Sequence, residues 1–257
     1  MLLIHTHVWG GEPPQICLSC HPAHYMEQGR CPDCHRGNPY SDRKNIAHAG
    51  LISAKYAFFS LSDQPHVKNG NRLIDQYSCR RCHVIDRRGN RLAITLDGAA
   101  AGKTAEELAG SIRRPVDNMP NFGMDEVRIT YLVNSILAGS QRRNTHEGAP
   151  VTVHFNIANK KGGDVFSIKC GSCHSLLSEK RGALGIGKIG PNLSGLLSTY
   201  YPKTFRNGEA WTFRNLESWL TNPREIRPWA RMIPIKLTME EREGLESIIQ
   251  LSLNPEK

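Results

Sequence analysis

The sequence predicts a mostly α protein of small domains with little β structure. Three observations point there. Apolar residues recur at helical spacing behind capping boxes in the later parts of the chain. All the cysteines fall into close pairs whose positions divide the chain into three. Only 39% of the 257 residues are hydrophobic and 7% aromatic, which leaves the polypeptide alone short of core material. No apolar run approaches the roughly 18 residues of a membrane span. The formal charge of +9 admits nucleic acid, an anionic surface or an acidic protein as a partner, and also acidic groups neutralised within the molecule.

The first expected unit covers residues 1–68. Its stretch "CLSCHPAHYMEQGRCPDCH" holds the pair Cys17 and Cys20 and the pair Cys31 and Cys34. Taken alone, that spacing suits a zinc ribbon, with four thiolates around one tetrahedral metal. A histidine follows each pair, however, and zinc does not require it.

The second unit, residues 69–142, opens with "RLIDQYSCRRCH", read as a helix entering a third motif. "TAEELAGSIRRP" begins with a capping box, Thr104 and Glu107. "DEVRITYLVNSILAG" places Ile129, Leu132, Val133, Ile136 and Leu137 on one helical face, and Gly139 fits its C-terminal stop.

The third unit, residues 143–257, repeats this plan at greater length. "VFSIKCGSCH" reads as a helix entering the fourth motif, followed by the loop "GIGKIGPNLSGL". "NLESWLTNP" is a short helix ended by Pro223. "TMEEREGLESIIQL" opens with the capping box of Thr238 and Glu241 and carries Leu245, Ile248 and Ile249 on one face. The polar stretches 61–72 and 141–163 read as linkers, the second with a possible strand in "VTVHFNI". "TYYPKTF" and Trp211, Trp219 and Trp229 read as core packing or as packing at a cofactor edge.

The eight cysteines therefore form four Cys-x-x-Cys pairs: Cys17 with Cys20, Cys31 with Cys34, Cys79 with Cys82, and Cys170 with Cys173. Each is followed at once by histidine: His21, His35, His83 and His174. Chance supplies about 0.01 such motifs in a chain of this composition. Two four-thiolate zinc sites would leave four identically placed histidines unexplained. A thioredoxin-like dithiol has no use for four copies, and disulfides across two residues constrain little chain. C-x-x-C-H is the c-type haem attachment motif. Its two thiols add to the porphyrin vinyl groups, and its histidine is held beneath the iron.

On these motifs the chain resembles a tetrahaem c-type cytochrome. "CHPAHY…CPDCHRGNP…AHAGLI" is similar to the dihaem units of bacterial multihaem cytochromes, and the two later units resemble class I cytochrome c domains. The resemblance implies four covalently attached haems, which would supply the missing apolar bulk. Their propionates would offset much of the positive charge, which removes most of the case for nucleic acid. In the last unit it implies Pro191 as carbonyl acceptor for the His174 imidazole and Met232 as sixth iron ligand. In the middle unit it implies Met119, ahead of the last helix, with Met124 as the alternative. No Gly-Pro pair follows His83, so the resemblance names no counterpart of Pro191 there.

For the N-terminal haems, reach limits the choice. Three extended residues span about 10 Å, less than the separation of backbones flanking a haem, so His24 cannot serve the haem of His21. It is assigned to that of His35, and His48 to that of His21, with His5 or His7 as alternatives to His48. Met26 reads as packing or exposed, and His66, His146 and His154 as surface or linker residues.

Thioether ligation raises an iron's potential relative to two imidazoles. The expected function is electron conduction from a low-potential bis-histidine pair to two His/Met haems, without bond-making chemistry. Two alternatives stand beside it. One is a haem enzyme, a peroxidase or small-molecule reductase, which needs an open sixth position. The other is a subunit of a quinol-oxidising membrane complex or of a haem filament. Expected partners are redox proteins as donor and acceptor. Because c-type haem is attached outside the bacterial cytoplasm, a periplasmic or extracellular location is expected. "MLLIHTHVWGGEPP" lacks a basic n-region and does not itself read as a secretory leader, so the signal is expected upstream of it.

Overall fold

The computed structural model describes residues 15–61, 63–116, 118–141 and 163–251. His5, His7, His146, His154 and the possible strand in "VTVHFNI" lie outside the described residues.

Five helices of nine residues or more are present among the described residues: α1 (Pro65–Gln76), α2 (Ala105–Arg113), α3 (Glu126–Gln141), α4 (Phe213–Thr221) and α5 (Met239–Ile249). The capping boxes expected at α2 and α5 both form. The Glu107 amide donates to the Thr104 hydroxyl, the Glu241 amide to that of Thr238, and each glutamate accepts from its threonine's amide. These bonds partner amides that the first helical turn would otherwise leave open. The same bonds hold both glutamates below the usual carboxylate range. β structure among the described residues is one antiparallel hairpin, β1 (Leu176–Ser178) with β2 (Gly182–Leu184), in which Leu176 faces Leu184. The mostly α expectation therefore holds.

Helix α3 organises the first half of the structure. The expected apolar residues are all buried, but so are Asn134, Ser135 and Ala138, and burial is unbroken from Leu132 to Ala138. One face packs Ile129, Val133, Ile136 and Leu137 against Leu108 of α2 and against Ile52, Tyr56 and Phe59. Another packs Leu132 against Ile74 of α1 and Ile85. The helix also runs through Gly139 to Gln141, past the expected stop. Asn134 donates to the Lys55 carbonyl at 2.9 Å and Ser135 to Asn71 at 2.6 Å, while Asn134 Oδ1 stays buried without a partner.

Two expectations fail here for one reason. Residues 61–72 are not a linker, because α1 begins at Pro65, and no break in the packing marks a boundary at 68/69. The Pro and Gly content that suggested a loop has other uses. Pro65 occupies the first turn, where a missing N–H is harmless. Gly70 lies where α1 meets α3, and a Cβ there would sit 2.6 Å from that of Ser135 and closer still to the Tyr131 carbonyl. The 3₁₀ segment Ala54–Ser60, counted with the N-terminal unit, supplies Tyr56, Ala57 and Phe59 to the α2/α3 core.

His66 is likewise no plain linker residue. Its ring stacks on Phe58 at 3.9 Å between centroids and meets the Tyr131 edge, with Nδ1 buried and without a hydrogen-bond partner. That burial pushes its pKa down.

The second core joins Phe166, Leu176, Leu196, Tyr201, Leu216, Leu220, Leu245, Ile248 and Ile249. Ser178 donates to the Ile248 carbonyl at 2.7 Å and so ties the hairpin to α5. α4 stops at Thr221, and Pro223 opens a further short helix, Pro223–Ile226, instead of only ending one. Trp211 packs at this core, edge-on to Trp219, whereas Trp229 is exposed and is not core.

Two outcomes follow from this packing. Gly70→Val should destabilise the protein by about 2–3 kcal/mol through overpacking, whereas Gly110→Ala, in open space on α2, should stabilise it by roughly 0.5–1 kcal/mol. Urea unfolding of both variants measures this. His66 binds a proton less readily folded than unfolded, so the unfolded chain holds more protons between its lowered pKa and about 6.5, and stability falls as pH drops through that window. His66→Phe should flatten that part of the profile.

Candidate functional site

Each C-x-x-C-H motif folds as one helical turn. The His21 amide donates to the Cys17 carbonyl at 3.0 Å, His83 to Cys79 at 3.0 Å and His174 to Cys170 at 2.9 Å. Cys31–His35 forms a short α-helix with Pro32 in its first turn. Residues i, i+3 and i+4 of such a turn lie on one side, so both thiols and the imidazole of each motif are grouped.

The eight thiols, all free of disulfides, have unlike surroundings. Burial pushes the Cys79 thiol up to about 11 and does the same for Cys170, where the Asp164 carboxylate adds to it. Burial also raises Cys82 and Cys31. Cys20 is exposed: its amide donates to the Cys17 carbonyl at 3.2 Å, and its sulfur lies 3.7 Å from the Ser19 hydroxyl. Cys173 is exposed too, 3.8 Å from the Ser172 hydroxyl.

Cys34 departs from what the sequence suggested. It was expected only as a cofactor-bearing thiol, yet it is half-buried and packs against the core of Ile52, Tyr56 and α3. The cause is tertiary, since the Cys31–His35 helix lies on the segment Ala54–Ser60. Among the described residues, no three His, Cys, Asp or Glu side chains form a cluster able to hold a metal ion, and neither Cys20 nor Cys34 belongs to one. Thiols that add to porphyrin carbons do not themselves ligate iron, so the haem expectation for these two residues rests on the motif alone.

Three motif imidazoles have Nδ1 tied to a backbone carbonyl. His174 meets Pro191 at 2.8 Å, His83 meets Ile94 at 2.8 Å, and His35 meets Ile52 at 3.1 Å. A carbonyl only accepts, so Nδ1 carries the proton and Nε2 is left as the free lone pair, the arrangement usual for a histidine that ligates a metal. The His174–Pro191 contact is the one the resemblance implied. Ile94 and Ile52 were not anticipated, because nothing in their sequence marks a carbonyl acceptor. The turn at Asp86 and Arg87, both at positive φ and both donating amides to the Asp97 carboxylate, returns the chain so that Ile94 reaches His83. Packing around His83 holds its imidazole below the usual histidine range, although the Ile94 carbonyl opposes this. Its ring is therefore neutral at pH 7 and able to donate a lone pair.

In the N-terminal unit the structure brings together the pairs named from the sequence. His24 Nε2 lies 3.4 Å from His35 Nε2, with ring planes at 86°. The His21 and His48 rings stand 6.0 Å apart between centroids. Two imidazoles on one metal, each bonded at about 2 Å, would place their nitrogens about 4 Å apart.

The methionines occupy distinct settings. Met232 packs at the second core, and its sulfur accepts from Trp219 Nε1 at 3.0 Å. Met119 is half-buried on the loop before α3, its amide donating to the Val116 carbonyl. Met124 packs into both cores around α3, between the clusters of Ile129 and Ile74. Met26 is 49% exposed.

Apolar side chains stand open beside these groups. Ile94 is 53% exposed, Ile189 87%, Ile186 90% and Ile233 66%. Ile94 supplies the carbonyl to His83, and Ile233 follows Met232. Ile186 and Ile189 flank glycines pressed onto the fourth motif: a Cβ on Gly190 would lie 2.5 Å from His174 Nδ1, and one on Gly187 would lie 2.5 Å from Cys173 Cα.

No protein-family model matches the chain, and no solved structure matches it.

Gly190→Ala should turn the His174 ring and break its bond to Pro191. Imidazole nitrogen NMR should then show the His174 Nδ1 proton exchanging faster than in the parent protein.

Proposed function

We propose that the protein is an electron-carrying multihaem cytochrome c with four covalently bound haems. The observation that carries this reading is the tethering of Nδ1 in three C-x-x-C-H motifs, each on a turn that also groups two free thiols. Thiols at i and i+3 would form the thioethers: Cys17 with Cys20, Cys31 with Cys34, Cys79 with Cys82, and Cys170 with Cys173. Nε2 of His21, His35, His83 and His174 would bind iron. The facing pairs of His24 with His35 and His21 with His48 support bis-histidine ligation in the N-terminal unit. The open isoleucines beside His83 and His174 support a flat apolar group lying there.

Met119 and Met232 are proposed as sixth ligands of the later haems. Met124 is already committed to packing beneath α3, which favours Met119. The Trp219 N–H would hold the Met232 sulfur in place. On this reading, the two later units are class I cytochrome c domains. The bound haems supply reversible one-electron chemistry, while the chain sets their ligands, burial and spacing. Imidazole pairs leave the N-terminal centres at lower potential than the His/Met centres, so electrons run from the first unit toward the last.

Covalent haem attachment places the protein outside the cytoplasm, in the periplasm or beyond the cell, with redox proteins as donor and acceptor. A quinol-oxidising complex or other multihaem cytochromes are candidate partners. No described helix is long and apolar enough to cross a membrane. Neutralisation of the positive charge by haem propionates argues against nucleic acid as a partner.

Expression with a cytochrome c maturation system should give four haems per chain that resist acid–acetone extraction, and no titratable thiol. An optical and EPR redox titration should resolve two lower-potential and two higher-potential centres, and four alike centres would overturn the gradient. Fast, stoichiometric carbon monoxide binding at one reduced haem would instead favour the enzyme reading.

A further inference from the structure

Asn192 follows Pro191, the residue whose carbonyl holds His174, and its polar groups reach in several directions. Within its own unit, its Oδ1 accepts from the Ser194 amide at 2.9 Å, and its Nδ2 donates to the Ser175 hydroxyl at 3.1 Å. Its carbonyl accepts from the Tyr201 hydroxyl at 3.2 Å. The remaining bonds cross to the middle unit. The same carbonyl accepts from Arg81 Nη1 at 3.1 Å, and Nδ2 donates to the Asn118 carbonyl at 3.2 Å.

Both cross-unit partners sit beside groups assigned to the third haem. Arg81 lies between Cys79 and Cys82, and Asn118 precedes Met119. Neighbouring contacts extend the junction. Arg81 stacks over the Tyr201 ring at 5.5 Å, and Asn90 donates to Ser198 at 2.8 Å. A Cβ on Gly195 would lie 2.6 Å from the Arg81 carbonyl, so the backbones themselves are close. Arg80, by contrast, turns inward to Asp75 and the Ile85 carbonyl. The two adjacent arginines thus serve different units.

We propose that Asn192 is a positioning residue shared by two redox centres: it holds the Pro191 carbonyl against His174 and, through Arg81 and Asn118, fixes the cysteine turn and the methionine loop of the middle unit. This rests on the haem reading above. The consequence is reciprocal coupling. A change at one centre that shifts its ligands also shifts the other, since both sets hang on the same side chain and peptide.

The test uses the full-length holoprotein with Asn192→Ala and Asn192→Ser. Serine keeps a hydroxyl for the Ser194 amide but is too short to reach Asn118, so it spares the local turn and cuts the side-chain bond to the methionine loop, while the Arg81 bond to the residue-192 backbone carbonyl stays. Asn192 is uncharged, so its loss brings no direct charge effect. Both variants should shift the reduction equilibria of the His83 and His174 centres together, by about fivefold or more. Their EPR signals should change, and the N-terminal centres should stay as they were. Hydrogen exchange should show a faster Ser194 amide in Asn192→Ala and a protected one in Asn192→Ser. A shift confined to the His174 centre, or an Asn192→Ser protein like the parent, overturns the proposal. Haem content keeps the two readings apart: fewer than four haems in the parent protein overturns the cytochrome reading itself, whereas four haems with an unmoved His83 centre overturns only the role of Asn192.

Discussion

A single helical turn, closed by a hydrogen bond from each motif histidine's amide to the first cysteine's carbonyl, is the constraint on which the candidate site depends. It puts two thiols and one imidazole on the same side with no help from the remainder of the fold. The rest of the structure answers the question the turn leaves open, which is how the ring is oriented. Carbonyls from three unrelated segments, at Ile52, Ile94 and Pro191, each accept a hydrogen bond from Nδ1–H and leave the lone pair on Nε2. The chemistry is repeated while the means of support differs.

The two later units use their glycines accordingly. Gly187 and Gly190 let the loop lie directly on the fourth motif, and Gly89, at φ +132°, lets the chain return over the third. The first half of the fold buries α3 on nearly every side, and that helix ties Ile52–Leu61 to the middle unit. Ile52, whose carbonyl holds His35, thus packs on the same helix as Ile85 of the segment that follows His83, though on another face. With Asn192 linking the middle unit to the last, the segments that carry and contact the second, third and fourth motifs form a connected series.

The apolar side chains left open beside His83 and His174 give physical content to the low hydrophobic fraction of the composition. The polypeptide clusters each enclose fully buried residues, such as Val133 beside α2 and Phe166 beside α5. Among the apolar side chains left exposed are Ile94, Ile186 and Ile189, on the loops that return to the third and fourth motifs. On the proposed reading, the haems would close that surface, so cofactor binding and folding would be coupled.

Local chemistry was legible in the sequence wherever neighbours in the chain decide the outcome. The four motif turns, the capping boxes at Thr104 and Thr238 and the buried faces of α3 and α5 belong to that class, whereas the Pro191 contact came from the resemblance alone. The pairing of His24 with His35 also followed, because chain reach over so few residues excludes the alternative. Tertiary structure alone decided the rest. Gly70 and Pro65 suggested a linker because composition cannot distinguish a flexible glycine from one that lets two helices touch. Cys20 and Cys34 occupy the same motif position, yet one is open and the other lies on a core, a difference set by what packs beneath each turn. Ile94 and Ile52 carry no signal as acceptors, since every residue has a carbonyl and only the fold chooses which one faces an imidazole. Asn192 looked like one polar loop residue among many, and its role depends on Arg81 and Asn118, which lie more than seventy residues away in the chain. Hydrogen bonds over such separations follow from where the packed cores place the backbone, and no spacing rule encodes that.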